Sequence, residues 1–202
     1  MHLNLNEKIF SFVHRFIEKK YHLRKLSKIL KNISFDKNPI IFDVGGNEGE
    51  SIDLFLSLFK SPKIYSFEPE KKSYQKLLKK YGNIKTVNLF NFAFGNKKEV
   101  MNLRLNIKSS TSTLSKINTQ SKYYNLKSLI LKTSRNNAFL GEEKVKVKKI
   151  DDFCTQKKIK TIHLLKIDTE GFEFNVIKGA KKTLKKTKVL IIEFQLNDMY
   201  LN

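Results

Sequence analysis

The sequence is poor in the residues that mark several common classes of protein. It has one cysteine, Cys154, so no disulfide bond can form within the chain, which fits a reducing compartment. No apolar stretch approaches the roughly 18 residues of a membrane-spanning helix, and the N-terminus lacks the continuous apolar core of a signal peptide. We therefore expect a soluble, cytoplasmic protein.

Acidic residues are also scarce, with 19 Asp and Glu against 40 Lys and Arg and a formal net charge of +21. Such a charge is typical of proteins that bind nucleic acid, anionic membranes or acidic substrates. The basic residues are mostly lysines spread over nearly every segment, however, and no helix-turn-helix, zinc or RNA-binding motif is recognisable. A compositional bias explains the charge at least as well, so we expect no specific nucleic-acid partner. A basic module that binds nucleic acid or an anionic membrane is the alternative from a different class.

The length of 202 residues and a hydrophobic content of 40% are sufficient for one domain with a full core. We assign residues 1–36 to an N-terminal extension and residues 37–202 to the domain. Apolar residues of the extension recur at three- and four-residue steps, which predicts one long or two shorter amphipathic helices. Their polar side is strongly basic and is compatible with peripheral contact with an anionic membrane, although packing over a cleft or a sheet edge is the commoner role.

Three of the eight glycines lie in the stretch IIFDVGGNEG, residues 40–49. Its apolar run ends at Asp43, and Gly45, Asn47 and Gly49 complete the pattern D-x-G-x-N-x-G. Glycine takes positive φ freely and Asn tolerates it, so the pattern predicts a strand that ends in a tight turn before a helix. A strand, a glycine turn and a helix N-terminus form a nucleotide-binding unit; a purely structural loop is the alternative.

The acids indicate which nucleotide would bind. The stretch has neither the phosphate-loop spacing nor the G-x-G-x-x-G dinucleotide spacing. A carboxylate at Asp43 would repel a pyrophosphate and attract an ammonium group, which favours S-adenosylmethionine; an NAD-dependent oxidoreductase is the alternative. Glu68 ends the next apolar run, KIYSFEP, 25 residues after Asp43, where an acid can accept both ribose hydroxyls of an adenosine. The other interpretation of Glu68 is a solvated acid or a cap for the following helix.

Several motifs, in one order, resemble the FkbM family of S-adenosylmethionine-dependent methyltransferases. They are IIFDVGGNEG, YSFEPEKKSYQKL, NFAFGN, VKKIDDF, LLKIDTEGFEFNVIKGA and LIIEF, and they cover roughly residues 40–194. The resemblance implies a class I methyltransferase fold and methyl transfer, most often to a hydroxyl of a small-molecule or glycan acceptor. It also implies that Asn91 pairs with the adenine amine and that Phe92 covers the adenine ring. A structural turn with a core aromatic residue is the alternative there.

Apolar runs of strand length alternate with helical periodicities, which predicts an α/β fold with a doubly wound, mostly parallel sheet. The stretches 99–107 and 143–150 alternate polar and apolar residues and predict an added antiparallel pair. The periodicity from Phe172 to Leu184 predicts one helix. Because the sequence ends soon after the fifth core strand, we expect the sheet to lack the last two strands of the class I fold. The carboxyl ends of the strands would bring together four acids, Asp43, Glu68, Asp168 and Glu193.

Methyl transfer to a hydroxyl requires orientation, exclusion of water and often a base. Asp168 and Glu170 follow the fourth core strand and are the candidates for the base or for binding the acceptor, with Glu173 and Glu193 as outer candidates. Capping of the next helix is the alternative role of Asp168 and Glu170. Acids at this position could also collect a divalent ion, but the four histidines include no ligand-spaced pair in the core, so we predict no metal.

The segment between the two alternating stretches begins with the hydroxyl-rich residues 109–114 and continues to about residue 140. Small hydroxylated residues favour a mobile loop, so this segment is the expected lid or acceptor-binding region. An insertion without a role is the alternative.

Overall fold

The computed structural model describes residues 23–107, 109–122, 124, 139–194 and 199–201. Residues 23–31 form helix α1. The helices that follow are α2 (Glu50–Leu58), α3 (Lys71–Tyr81), α4 (Ile150–Gln156), α5 (Glu173–Lys178) and α6 (Lys181–Leu184). The strands are β1 (Ile40–Val44), β2 (Lys63–Phe67), β3 (Val87–Phe90), β4 (Ala93–Phe94), β5 (Glu99–Asn106), β6 (Lys116–Ile117), β7 (Phe139–Lys148), β8 (Ile162–Ile167), β9 (Thr187–Ile192) and β10 (Tyr200–Leu201). The described part contains no helix long and apolar enough to cross a membrane.

A five-stranded sheet in the order β3-β2-β1-β8-β9 forms the centre of the fold, and all its neighbouring strands are parallel. The strands alternate with helices along the chain, which is the arrangement that the alternating periodicities predict. The doubly wound, mostly parallel α/β fold is therefore confirmed. Because parallel strands share one direction, their carboxyl ends all meet at one edge of the sheet.

Both faces of this sheet are covered, because successive side chains of a strand point to opposite faces. Phe42 belongs to an aromatic-rich cluster with Phe67 and Phe153, whereas its neighbour Ile41 belongs to a second cluster with Phe55 of α2. Helix α4 packs against the first cluster, and helices α2 and α3 pack against the second.

Helix α1 also packs on the second face, through its buried residues Leu26 and Leu30. This part of the predicted extension therefore contributes to the core of the domain, while its basic residues, among them Arg24 and Lys25, are exposed. Residues 1–22, which carry the rest of the predicted amphipathic helices, lie outside the described residues. The boundary at residue 36 stays a prediction.

The predicted antiparallel pair is confirmed as strands β5 and β7, which run antiparallel from Glu99 opposite Val147 to Asn106 opposite Phe139. Strand β4 adds to β7 in parallel and completes a second, three-stranded sheet. Strands β10 and β6 form a separate antiparallel pair.

The prediction of one helix from Phe172 to Leu184 is wrong, because this segment forms two short helices that meet at Gly179 and Ala180. The N–H groups of Lys182 and Thr183, at the start of α6, donate to the carboxylate of Asp151 at 3.0 and 2.8 Å. A carboxylate from another helix thus supplies the cap of α6, and a pattern read along one segment cannot reveal such a cap.

Candidate functional site

A cavity of about 560 Å³ opens at the carboxyl ends of β1, β2 and β8. Its wall includes the turn after β1, the residues after β2 and the loop after β8. The wall also includes Leu23 and Leu26 of α1 and residues of the hydroxyl-rich segment 109–114. In a parallel α/β sheet this edge is where ligands bind, and the volume lies within the range of small-molecule sites.

The turn after β1 has the backbone that its sequence predicts. Gly45, Asn47 and Gly49 all have positive φ, at 87°, 42° and 89°. A Cβ atom at Gly45 would overlap the carbonyl oxygen of Asp168, and one at Gly49 would overlap the ring of Tyr81. These glycines therefore allow close contacts within the protein as well as the turn itself.

Glu68 joins this turn to the end of β2. Its Oε2 accepts the N–H of Asn47 and its Oε1 accepts the N–H of Glu70, both at 2.8 Å. The side chain lines the cavity yet is only 7% exposed, and this burial raises the pKa of Glu68 from an ordinary value of 4.5 to about 7. No Lys or Arg of the described residues forms an ion pair with Glu68, so hydroxyl hydrogens of a ligand could stabilise its charge. Its bond to Glu70, the residue before α3, also has the character of a helix cap.

Asp43 lies deeper than the sequence suggests. It is fully buried, is not part of the cavity wall, and accepts a hydrogen bond from the Ser66 hydroxyl at 3.1 Å. Its other oxygen, Oδ1, is 3.7 Å from the ammonium nitrogen of Lys166, its partner in register on β8. Burial raises the pKa of Asp43, and Lys166 opposes that effect only in part.

Lys166 is the one cationic residue that lines this cavity among the residues described. It is 5% exposed, and its Nζ donates to Asp168 Oδ2 at 3.0 Å. Burial by itself lowers the pKa of Lys166, but the charges of Asp168 and Asp43 outweigh it, so the pKa is raised and the ammonium group stays protonated. Asp43, Lys166 and Asp168 thus form a line of alternating charges that leads from the interior to the cavity wall.

The two candidate catalytic acids both line the cavity. The Oδ2 atom of Asp168 accepts a hydrogen bond from Lys166. No described residue donates a hydrogen bond to the other oxygen, Oδ1. Glu170 has a positive φ of 51°, and its Oε2 accepts the hydroxyl of Tyr200 at 3.1 Å. The ring of Tyr200 lies where a Cβ of Gly171 would be, so the end of the described chain packs directly on this loop.

Neither candidate acid caps the next helix, because the residue before α5 is Phe172 and its side chain forms no cap. Glu173, an outer candidate in the sequence, holds the loop instead: its Oε1 accepts the N–H groups of Thr169 and Gly171 at 2.9 and 3.0 Å and the Thr169 hydroxyl at 3.0 Å. Glu173 is only 3% exposed, so its bonds orient the loop from within. Glu193 follows β9 and lines the cavity.

The hydroxyl-rich segment packs over the cavity through specific bonds. Ser109 donates to Oδ1 of Asn47 at 2.9 Å, Thr113 donates to the carbonyl of Glu170 at 2.6 Å, and Ser115 donates to the carbonyl of Gly171 at 2.6 Å. The segment therefore connects the turn after β1 with the loop after β8. Residue 123 and residues 125–138 of the predicted lid lie outside the described residues.

The cavity differs in charge from the chain as a whole. Within the part of the chain that the structure describes, five acids and one lysine line it, although Lys and Arg outnumber Asp and Glu by 40 to 19 in the sequence. The acids are Glu50, Glu68, Asp168, Glu170 and Glu193. A cationic ligand is favoured in such a cavity and a pyrophosphate is disfavoured.

Comparison with known proteins agrees with this arrangement. The family model described as the methyltransferase FkbM domain matches residues 43–201, which is most of the chain. The chain belongs to the FkbM methyltransferase family.

One curated relative extends the comparison. The chain is 25% identical over 169 residues to the 2-O-methyltransferase NoeI of Sinorhizobium fredii (strain NBRC 101917 / NGR234). The alignment covers 81% of this chain and 66% of that protein, so the chain spans slightly less than two thirds of its relative. No solved structure matches the chain with significant similarity.

Two residues that the FkbM resemblance associates with adenine lie away from the cavity wall. The amide nitrogen of Asn91 donates to the carbonyls of Glu68 and Pro69, both at 2.9 Å. Phe92 is 6% exposed and packs in the aromatic cluster with Phe67 and Phe94. Asn91 thus stabilises the turn after β2, and the wall near Phe92 is formed by Ala93 and Phe94.

Lys166, Tyr200 and Glu50 are site residues of this FkbM member that no motif in the sequence marks as functional. The signal for Lys166 is a lysine inside an apolar strand, two residues before Asp168, which places both side chains on one face of the strand. No comparable local signal marks Tyr200, because its contact with Glu170 spans 30 residues. Among the described residues, no group of three His, Cys, Asp or Glu side chains could hold a metal ion.

Proposed function

We propose that this chain binds S-adenosylmethionine and transfers its methyl group to a hydroxyl oxygen of a small-molecule or carbohydrate-type acceptor. The observation that carries the proposal is the acidic cavity at the carboxyl ends of the strands, in an FkbM-family chain with a net charge of +21. S-Adenosylmethionine carries a sulfonium and an ammonium group against one carboxylate, so its net charge is positive and favours acids, whereas NAD carries a pyrophosphate. The same observation argues against a nucleic-acid module, which needs a basic groove.

The residues present fit the cofactor. Each Glu68 oxygen accepts one backbone N–H, which leaves further lone pairs for ribose hydroxyls. The positive φ values of the turn after β1 bring backbone atoms to the cavity wall beside Glu68. Of the two acids that flank Lys166, Asp168 lines the cavity and Asp43 is buried behind it. We therefore assign contact with a cationic group or with the acceptor to Asp168.

When bound, S-adenosylmethionine would supply an electrophilic methyl group on a sulfonium; a C–O bond would form as the C–S bond breaks, with S-adenosylhomocysteine as the leaving group. The chain has to orient the acceptor hydroxyl, exclude water and accept its proton. Asp168 and Glu170 are the candidates to accept this proton and pass it to solvent. The segment 109–115 and Tyr200, which pack on the loop of Asp168 and Glu170, would exclude water.

The acceptor group that enters the cavity is a neutral hydroxyl, because the five acids would repel a phosphate or a carboxylate. The name of the relative, a 2-O-methyltransferase, agrees with transfer to oxygen. The positive charge elsewhere on the chain could still attract an acceptor whose anionic part stays outside the cavity. Peripheral membrane contact through the basic N-terminal helix belongs to the same proposal, since it would bring the chain to a glycan carried by a membrane lipid.

Calorimetry with S-adenosylmethionine, S-adenosylhomocysteine and NAD tests the cofactor. We expect the first two to bind and NAD not to bind, and a folded sample that binds only NAD would overturn the proposal.

Incubation with labelled S-adenosylmethionine and fractionated extract of the source cells tests the acceptor. The label should appear on a hydroxyl, and Asp168→Asn or Glu170→Gln should abolish it. Asp152→Asn, which changes an exposed acid on α4, is the matched control.

A further inference from the structure

The ammonium group of Lys166 lies between two acids that differ in exposure. Asp43 on one side is fully buried, whereas the side chain of Asp168 on the other is 30% exposed and lines the cavity. The distance from Nζ to Asp168 is 3.0 Å, which is a hydrogen bond, while the distance to Asp43 is 3.7 Å. The shorter contact is therefore to the acid that faces the ligand.

A lysine that served only to neutralise the interior would need only Asp43. A buried carboxylate requires a counter-charge, and in the described residues Asp43 has its one ion pair with Lys166. Asp168 adds a second carboxylate, for which Lys166 is the one ion-pair partner among the described residues, and the lysine therefore fixes one of its two oxygens. The other oxygen, Oδ1, stays available on a side chain that forms part of the cavity wall.

We propose that Lys166 is a positioning residue, which binds Oδ2 of Asp168 so that Oδ1 is presented to the ligand, and that Asp43 supports this arrangement through Lys166 without contacting the ligand. The inference rests on the proposed function for the identity of that ligand, S-adenosylmethionine or its acceptor. The role of Lys166 in positioning the Asp168 side chain does not depend on that function.

A paired substitution separates this role from simple neutralisation. Lys166→Met alone leaves Asp43 buried without its cation, so its melting temperature should fall by several degrees. Asp43→Asn combined with Lys166→Met removes both charges and should return the melting temperature to within about 2 °C of the wild type. If Lys166 positions Asp168, the double variant should still lose at least about tenfold in affinity for S-adenosylmethionine or in methyl transfer.

A crystal structure of the double variant gives a readout that needs no cofactor. We expect the Asp168 side chain to leave its place at the cavity wall. A double variant in which melting temperature, Asp168 position and ligand affinity all match the wild type would overturn the inference, because Lys166 would then be only a counter-ion. A folded wild type that binds no S-adenosylmethionine would instead refute the proposed function, and the position of Asp168 would still decide the role of Lys166.

Asp43→Asn alone provides a second test if the double variant does not fold. It keeps the bond between Lys166 and Asp168, so affinity for S-adenosylmethionine should stay within about twofold of the wild type. A loss of about tenfold or more would mean that Asp43 acts on the ligand directly, against the inference. The matched control is Asp36→Asn with Lys188→Met, which removes an exposed ion pair at 2.9 Å that does not line the cavity.

Discussion

Glu68 should couple cofactor binding to proton release near neutral pH. Its side chain is 7% exposed, and burial raises its pKa from 4.5 to about 7. Between these two values the folded protein keeps a proton on Glu68 that the unfolded chain has lost. The free energy of unfolding therefore falls as the pH rises through this window, by about 3 kcal/mol in total for this group.

Glu68→Gln removes the ionisable group and should remove this part of the pH dependence. Denaturant unfolding between pH 4 and pH 8 measures the effect as the difference between wild type and variant, which cancels the contributions of the other acids. Glu48→Gln is the control, because the Glu48 side chain is 45% exposed and is paired with Lys76 at 2.7 Å. A wild-type and a Glu68→Gln protein with parallel pH profiles would show that Glu68 titrates normally.

Ribose hydroxyls that donate to Glu68 would stabilise its charged form and lower its pKa again. Binding of S-adenosylmethionine at pH 7 should therefore release about half a proton, and the affinity should rise with pH up to about pH 8. Calorimetry in two buffers of different ionisation enthalpy measures the proton directly. The assignment of the ribose to Glu68 fails if Glu68→Gln binds the cofactor with the same proton release as the wild type.

Two further substitutions test the loops that form the cavity. Gly45→Ala should destabilise the protein by more than about 1–3 kcal/mol, the cost of backbone strain alone, because its Cβ would also overlap the Asp168 carbonyl. Gly141→Ala is its control in urea unfolding, since that glycine also has positive φ but no atom within 4 Å of the added Cβ, and equal losses would contradict the clash. Glu173→Gln should lower the free energy of unfolding by about 1–3 kcal/mol, because three bonds to a buried charged oxygen become weaker, and should also weaken cofactor binding in calorimetry. An unchanged variant in both assays would mean that the loop holds its shape without Glu173.

The fold could be predicted because its information is local. The apolar runs that end at Asp43, Glu68 and Asp168 have the length and burial of parallel strands, and the glycine turn has the positive φ values that its residues suggest. A parallel sheet then brings the ends of these strands to one edge whatever the details of packing. The position of the cavity follows from that topology alone.

The roles within the cavity depend on contacts between strands, which a pattern along the chain does not contain. The strand-end position of Asp43 predicts that it faces the ligand, but register on β8 puts Lys166 against it, and Asp43 is buried behind the cavity wall. Asn91 has backbone carbonyls within reach at the turn after β2 and binds them. Asp43 and Asn91 both lie at strand ends, as the sequence predicts. The hydrogen-bonding and ionic partners of both side chains, however, are other residues of the protein.

The charge of the cavity is the clearest case in which topology outweighs composition. A net charge of +21 read over the whole chain suggests an anionic partner, yet most lysines occupy exposed positions on helices and loops. Acids that follow separate strands are brought to one edge of the sheet, with a single lysine among the described residues of the wall. A ligand inside the cavity experiences these nearby acids in a partly water-excluded space, whereas the distant lysines are screened over about one Debye length, roughly 8–10 Å in physiological salt. The sign of the local field is therefore opposite to the sign of the chain, and a local field of that sign favours a sulfonium over a pyrophosphate.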